Sequence, residues 1–454
     1  MEALLANMSK KCGYVNNAVS EKQPSEEKPC EEDLPIEKDA IWNPNVTAVV
    51  NYLPIHTGWK QNSMVGSPLL EIQRQKCVRS LQHKLTEYVQ HMGITPLPNS
   101  AYECWQFCLK LNATKERMDP LISYGSFKDS EGLQNELKTA GASHRTSGKV
   151  VEKLLQAAKK VSQTLVRQNI GAGKKNVKVV HVENMVELKY QDMMVKCHAR
   201  HFTKLQHLYG KHSVSLGVEA KAFSRYLFIL LLRYESLQGG GFQAAINEEC
   251  FDVMLQYFDC KMECFASPLN ARYGTYCSAF PDTDVPFGSL GSFFDFKPTS
   301  GCFEANPPFV PELISKMTTH MSTLLTSTKQ PLMFIIIIPE WKETEGWQTL
   351  KNSKFNQEYL AIAQAEHGYL EGKQHMRPTR WRVASFNTSV FFWQNPQAAA
   401  QYPITQEIVD ALRLAFASKQ EEERIDNGLT TSGRRVVKEK EESQDRKRQK
   451  TGKY

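Results

Sequence analysis

The 454-residue chain has no apolar run long enough to cross a bilayer. Its longest candidates, 226–232 and 332–339, fall far short of the roughly 20 residues a spanning helix needs, so no membrane segment is expected. Residues 1–11 have no apolar core followed by a cleavage site, which sets a secretory signal aside and makes an intracellular protein the expectation. The eleven cysteines are an odd number without framework spacing, which argues for reduced thiols. Cys104/Cys108 and Cys260/Cys264 are each four apart, but no further pair completes a metal set; buried thiols are expected, and no metal. Gly171-Ala172-Gly173-Lys174-Lys175 lacks the closing Gly-Lys-Ser/Thr of a phosphate loop, so a nucleoside triphosphate site is not expected. No Ser/His/Asp or Cys/His nucleophilic arrangement stands out, which sets hydrolases aside. Neither charge sign dominates: a net +7 permits a nucleic-acid partner without demanding one.

What is present is Phe303-Glu304-Ala305-Asn306-Pro307-Pro308-Phe309. The prolyl pair locks two φ angles and removes two N–H donors. The carbonyls of Asn306 and Pro307 then stand as fixed acceptors, and the Asn amide oxygen adds another. Two acceptors converging on an exocyclic NH₂ hold it and draw electron density toward its nitrogen. Phe309 offers a face on which a purine stacks. The plain alternative is a Pro-Pro turn after a strand, so context must decide.

Taken in order, residues 1–40 are polar and aperiodic and read as disordered. Trp42 and Trp59 suggest a WW module, but their spacing is short and the strand-turn pattern is absent, so none is expected. Helical periods run over 67–92, 101–111 and 149–168; the basic residues of the last read as a solvated face or a phosphate track. Alternation over 177–182, 185–190 and 194–198 predicts a small antiparallel sheet. Helices follow at 202–209 and 223–234, then the glycine run 239–241 with Gln243, where a backbone can pass close to a ligand. Beyond it strand and helix alternate: helix 248–258, strand 262–265, small residues 266–270, strand 276–280, acidic turn 281–284, strand 293–296, the Pro-Pro motif, helix 312–325 and strand 332–338. A closing hairpin, 381–385 with 389–394 around Asn387-Thr388, and a helix 407–417 complete the ordered part. The expected organisation is disordered 1–40, a helical domain 41–220, an α/β domain 221–418 and a disordered charged tail 419–454 whose Arg434-Arg435 and 446–448 form either a nuclear import signal or a solubilising end.

Small residues past one strand, acids past another and the Pro-Pro motif past a third converge on one sheet edge. That is the layout of a sulfonium-cofactor methyltransferase. Ala266, Ser267 and Pro268 leave room for the methionine part, Asp282 accepts from ribose hydroxyls, and Gln243 and 306–309 complete the candidate cofactor contacts. Positioning and charge compensation do the chemistry, with no metal or covalent nucleophile.

The motif, with Glu263-Cys264-Phe265-Ala266-Ser267-Pro268-Leu269-Asn270, Tyr276-Cys277-Ser278-Ala279-Phe280-Pro281-Asp282-Thr283-Asp284 and Ile338-Pro339-Glu340-Trp341, resembles the phosphorylated-CTD-interacting factor family, the cap-specific adenosine N6-methyltransferases of mRNA. The likeness is strong over 251–395 and traceable back to about Pro68. It implies a mainly helical domain, then a Rossmann-like class I methyltransferase domain of α/β type. It also implies S-adenosyl-L-methionine as donor, a 7-methylguanosine-capped transcript as partner, and N6 of the first transcribed adenosine as target. By this resemblance Asn306, Pro307, Pro308 and Phe309 are catalytic. Lys128, Pro311, Glu312, Trp341, Lys342, Glu343, Thr344 and Glu345 fall where the family meets capped RNA. Lys128 and Cys104 stand where the family shows Arg, and Pro311 replaces an acid; Lys keeps the charge but loses the guanidinium fork, and Cys loses both. The family's WW domain is expected to be lacking, leaving binding to the RNA polymerase II tail unsupported. A monomer in the nucleus is expected. Two alternatives stay open: an N6-adenine methyltransferase on internal or uncapped nucleic acid, and an inactive capped-RNA-binding protein.

Overall fold

The computed structural model describes residues 42–44, 46, 50–52, 67–98, 100–112, 118–167, 176–237, 244–376 and 381–426. The expected disordered head 1–40, Trp59, the basic loop 171–175, the glycine run, Gln243 and the tail from 427 onward lie outside the described residues.

Helix α1 (Pro68–Met92) starts where the period predicts. The Ser67 hydroxyl accepts from Leu70 N, Pro68 occupies the first turn, and left-handed Gly93 (φ 62°) ends it. Helix α2 (Ala101–Leu111) follows, then a 3-10 turn (Phe127–Ser130) closed by a capping box, which leads into α3 (Glu131–Thr139). Helix α4 spans His144–Arg167, starting five residues before the apolar period does. It buries Val150, Val151, Leu154, Ala158 and Leu165 toward α1. Strands β1 (Lys178–Val182), β2 (Met185–Tyr190) and β3 (Met193–His198) form the expected antiparallel meander. Its tight turns place Glu183 and Gln191 at positive φ. Helices α5 (Ala199–Ser213) and α6 (Phe223–Glu235) cover it. The nearly continuous apolar run of α6 is explained by burial on all sides, in a core that also takes in Leu269, Phe280 and Phe287 from the α/β part.

The α/β part opens with α7 (Glu248–Phe258), capped by Asn247, and β4 (Glu263–Ala266). Then come β5 (Tyr276–Ser278), a one-turn helix α8 (Pro281–Asp284), β6 (Gly301–Ala305), α9 (Pro311–Ser327), β7 (Leu332–Pro339), α10 (Glu345–Asn352), β8 (Asn356–Ile362), β9 (Gly368–Leu370), β10 (Trp381–Val383), β11 (Thr388–Gln394), α11 (Pro396–Gln401) and α12 (Gln406–Asp426). The main sheet has the order β5-β4-β6-β7-β11-β8. β5, β4, β6 and β7 run parallel, and β11 is antiparallel to both its neighbours. The fold is therefore α/β around a mixed sheet. From β4 the chain steps outward to β5 and then crosses back to β6, so strand order reverses between β4 and β6.

The unbroken apolar run of β7 serves two cores. Met333, Ile335 and Ile337 face α7 and α12, while Phe334, Ile336 and Ile338 face α9 and α10. β11 repeats this with Val390 and Phe392 on one face and Phe391 and Trp393 on the other.

Several expectations are corrected. The closing hairpin does not form: β10 pairs with β9, whereas β11, buried along its whole length, lies between β7 and β8. Residues 293–296 are a turn, because Asp295 N and Phe296 N both donate to Ser292 O. Helix α12 continues through Asp426 rather than giving way to a tail at 419. Helices α3, α10 and α11 and strands β8 and β9 are absent from the sequence expectations. Among the described residues no helix is long and apolar enough to cross a membrane.

Candidate functional site

A cavity of about 630 Å³ opens at the carboxyl ends of β4, β5 and β6, over the reversal of strand order. Open α/β sheets bind their ligands at such a point. Its floor is Phe265, Ala266 and Ser267 on one side and Ser278, Ala279 and Phe280 on the other. The loop after β4 is drawn tight by Asn270, whose side-chain oxygen accepts from both the backbone N–H (2.8 Å) and the hydroxyl (2.7 Å) of Ser267. Asp295 and Pro308 reach the cavity from the α/β part, and Phe107, Lys110 and Tyr234 close it from α2 and α6.

Behind this wall lies a buried ion network. Arg233 is 1% exposed; it donates to Glu71 Oε1 (2.7 Å) and to both oxygens of Asp282 (3.0 and 2.8 Å). Arg74 bridges Glu71 to Asp119, and Asp119 caps the segment after it by accepting from Leu121 N and Ile122 N. Burial pushes the Asp282 carboxyl up, but the charge and hydrogen bonds of Arg233 outweigh it and hold the group below its ordinary value. Neighbouring Asp284 lacks such a cation. Burial raises it to about 6, against hydrogen bonds from the Tyr234 hydroxyl (2.7 Å) and Thr283 (2.7 Å). The Lys110 ammonium donates to Ala279 O (2.5 Å) and Pro120 O (3.1 Å) and stands 4.4 Å over the Phe280 ring. Burial pushes its pKa down to about 8.

Of the residues expected at the cofactor, Ala266, Ser267 and Pro308 line this cavity. Pro268, Asp282, Asn306, Pro307 and Phe309 do not, and Gln243 is outside the described residues. Asp282 has both oxygens engaged by Arg233; the carboxylate that does face the cavity is the exposed Asp295. Positive-φ Gly288 and Gly291 just before it are a turn signal that sequence reading passed over. Lys110 had no signal of its own, because its role comes from where α2 ends.

The Asn306–Phe309 turn joins the cavity to an aromatic cluster. Asn306 follows β6 directly, and its amide nitrogen donates to Ala244 O at 3.3 Å. Ala245 exchanges both backbone hydrogen bonds with Leu370 (3.2 and 2.8 Å), which brings β9 alongside. The Asn306 side-chain oxygen is buried with no partner among the described residues. A buried acceptor left unpaired costs about 1–3 kcal/mol, so this atom is set to receive a donor. Phe309 is half-buried. Its ring meets Phe386 (5.4 Å, 90°), Tyr369 (6.1 Å, 69°) and Trp341 (6.4 Å, 77°) edge to face.

A second cavity, of about 650 Å³, lies between the helical part and the first turn of α9. Lys128, Asp129, Glu131, Glu312 and Lys316 line it, so Lys128 and Glu312 are brought together as expected, with exposed Pro311 at the start of α9. Cys104 sits nearby, half-buried. Burial, Glu136 and Glu312 push its thiol up to about 12. Trp341–Glu345 is a separate group beside Phe309. Lys342 pairs with Glu340 (3.1 Å), Thr344 caps α10, and Glu343 and Glu345 are exposed. Helix α9 lies between the two groups, and Gly346 of α10 packs against it so closely that a Cβ there would stand 2.8 Å from Ile314 Cγ2. Among the described residues no cluster of His, Cys, Asp or Glu is arranged to hold a metal ion.

Residues 204–372 match a protein-family model described as the phosphorylated CTD interacting factor 1 WW domain. That span runs from α5 to just past β9 and contains the strand ends, the Asn306–Phe309 turn and, of its aromatic cluster, Trp341 and Tyr369. Over 251 residues the chain is 40% identical to the mRNA (2'-O-methyladenosine-N(6)-)-methyltransferase of Mus musculus and 39% identical to that of Homo sapiens. The match covers 52% of this chain and 35% of each relative, so the chain spans about a third of the length of the curated relatives it matches. The expectation that the family's WW domain is lacking is overturned, and the exclusion of the polymerase II tail that rested on it falls too. Trp42 and Trp59 lie outside the match, which starts in α5 and extends through the α/β part to residue 372.

Proposed function

We propose that this chain methylates N6 of the cap-adjacent adenosine, normally 2′-O-methylated, of 7-methylguanosine-capped mRNA, using S-adenosyl-L-methionine. The observation that carries the reading is the buried Asn306 oxygen, unpaired among the described residues, in the turn whose Pro308 lines a nucleoside-sized cavity and whose Phe309 sits in an aromatic cluster. The 40% identity to an enzyme of that name supports it. In this reading residues 221–418 are a Rossmann-like class I methyltransferase domain and 41–220 a helical domain that closes it. The protein acts in the nucleus.

The first cavity suits the cofactor: aromatic walls for its purine, a carboxylate, Asp295, for donors on the nucleoside, and small residues Ala266 and Ser267 beneath. When bound, the cofactor supplies an electrophilic methyl on a sulfonium. The chain's own part is to position the amine. The Asn306 oxygen and the Pro307 carbonyl accept the two N–H bonds of the exocyclic amine, so its lone pair localises on nitrogen instead of delocalising into the ring. Phe309 stacks on the base and orients it. Lys128 and Glu312 in the second cavity, and Trp341 to Glu345 beside Phe309, bind the capped 5′ end.

Cys104 and Pro311, where the family carries an arginine and an acid, favour one competing reading: methylation of uncapped or internal adenine. Methylation rates on capped and uncapped transcripts of one sequence separate the two. Faster methylation of the capped transcript is expected; equal rates remove the cap from the function, and binding without methyl transfer to either makes the chain an inactive RNA-binding protein.

A further inference from the structure

Helix α4 presents one strongly basic face that the site described so far does not use. Arg145, Lys149, Lys153, Lys159, Lys160 and Arg167 are all exposed, and Glu152 is the acid among them. At 100° per residue they fall on one side of the helix, opposite buried Val150, Val151, Leu154, Ala158 and Leu165. Over 24 residues the face is about 36 Å long. Among the described residues none of the six basic groups is in an ion pair. Two are steadied by rings instead: Lys153 stands 5.5 Å over Tyr88 and Lys159 5.8 Å over Tyr124.

The face starts beside the second cavity. Phe127 is 39% exposed and adjoins Lys128 of that cavity; its ring edge lies against α4, where a Cβ on Gly148 would meet Phe127 Cζ at 3.4 Å. An exposed ring at the head of a line of unpaired cations is the arrangement single-stranded nucleic acid uses: stacking for a base, ammonium and guanidinium groups for successive phosphates.

We infer that α4 is the track for the single-stranded RNA that follows the transcript's first nucleotides, entered past Phe127 and Lys128. The inference rests on the proposed substrate class. The partner is chosen by charge and by this continuity. An acidic or phosphorylated protein would match the charge but gives no reason for the aromatic head of the track or its meeting with the second cavity.

The test is equilibrium binding of the full chain to a capped trinucleotide and to a capped RNA of about twenty nucleotides, at several salt concentrations. Wild type is compared with the fourfold variant Arg145→Gln, Lys149→Gln, Lys153→Gln, Lys160→Gln. Wild type is expected to prefer the long RNA by about tenfold or more, with a steep salt dependence. In the variant that preference disappears and the slope of log affinity against log salt falls by about 3, at roughly 0.7 per lost phosphate contact. Trinucleotide affinity and thermal unfolding stay as in wild type. A length preference that survives in the variant overturns the inference. So does a variant that binds long RNA normally yet loses a multiply phosphorylated peptide, which would assign the face to a protein. The readout needs no catalysis, so a wild type that prefers long RNA but methylates nothing refutes the proposed activity and leaves the track standing.

Discussion

The two cavities enclose nearly the same space, about 630 and 650 Å³, and are built on opposite principles. The first is walled by strand ends and backed by the buried charges of Glu71, Arg74, Asp119 and Arg233, with half-buried Asp282 at their edge. The second is a surface groove whose Lys128, Glu131, Glu312 and Lys316 are exposed. Volume alone therefore says nothing about what each can do. A rigid, partly desolvated wall keeps dipoles aimed before a ligand arrives, whereas exposed charges adapt to a ligand at small cost and give a small return.

The sharpest way to break this contrast is Arg233→Met. It removes the cation that buried Glu71 shares with half-buried Asp282, leaving Glu71 with Arg74 alone, so unfolding free energy should drop by about 3–5 kcal/mol in urea titrations. A loss below about 1 kcal/mol would mean the wall is not held by these charges. Next in size, Asn306→Ala should slow methyl transfer about 10²–10³-fold with only a small fall in the urea midpoint, since the lost oxygen has no partner among the described residues and the lost amide N–H makes one 3.3 Å bond, to Ala244 O. Unchanged turnover would detach the turn from the chemistry.

Asp284 gives a pH signature. Its folded value of about 6 lies above its ordinary 3.8, so the folded protein binds more protons between the two. Stability from this group is full below about pH 4 and falls, by up to about 3 kcal/mol, as pH rises through 6. Asp284→Asn should flatten that part of the stability curve; an unaltered slope would show that the carboxyl ionises at its ordinary pH. The smallest effect belongs to the groove: Lys128→Ala should raise KM for capped RNA by less than about tenfold, with kcat and thermal unfolding unmoved. A large fall in stability would place Lys128 on the wrong side of the comparison.

Much of the fold was legible where one element carries its own signal. α1 has a cap, a period and a stop; β7 has a run that only burial on both faces explains. What failed was partner choice. The segments 381–383 and 388–394 look like a hairpin locally, yet β11 has apolar side chains on both faces and so needs a strand on each side. Phe293 and Phe296 read as strand residues because they are apolar, but they anchor a turn in the core. At the site, the Asn306–Phe309 turn was readable because its chemistry is contained in four consecutive residues. Asp282 was readable as an acid near a strand end, but its commitment to Arg233, 49 residues earlier, was not. Lys110 and Asp295 meet across the first cavity from 185 positions apart, a distance no local pattern spans.

The arginine that crosses from α6 has one more consequence. Glu71, Arg74 and Asp119 belong to the helical half, Asp282 to the sheet half, and Arg233 grips both. Severing the chain near residue 220 would leave Arg233 with Asp282 but part it from Glu71 and the Arg74–Asp119 relay, and would strip Lys110 from above Phe280. The two halves should therefore be expressed, unfolded and inherited as one indivisible piece.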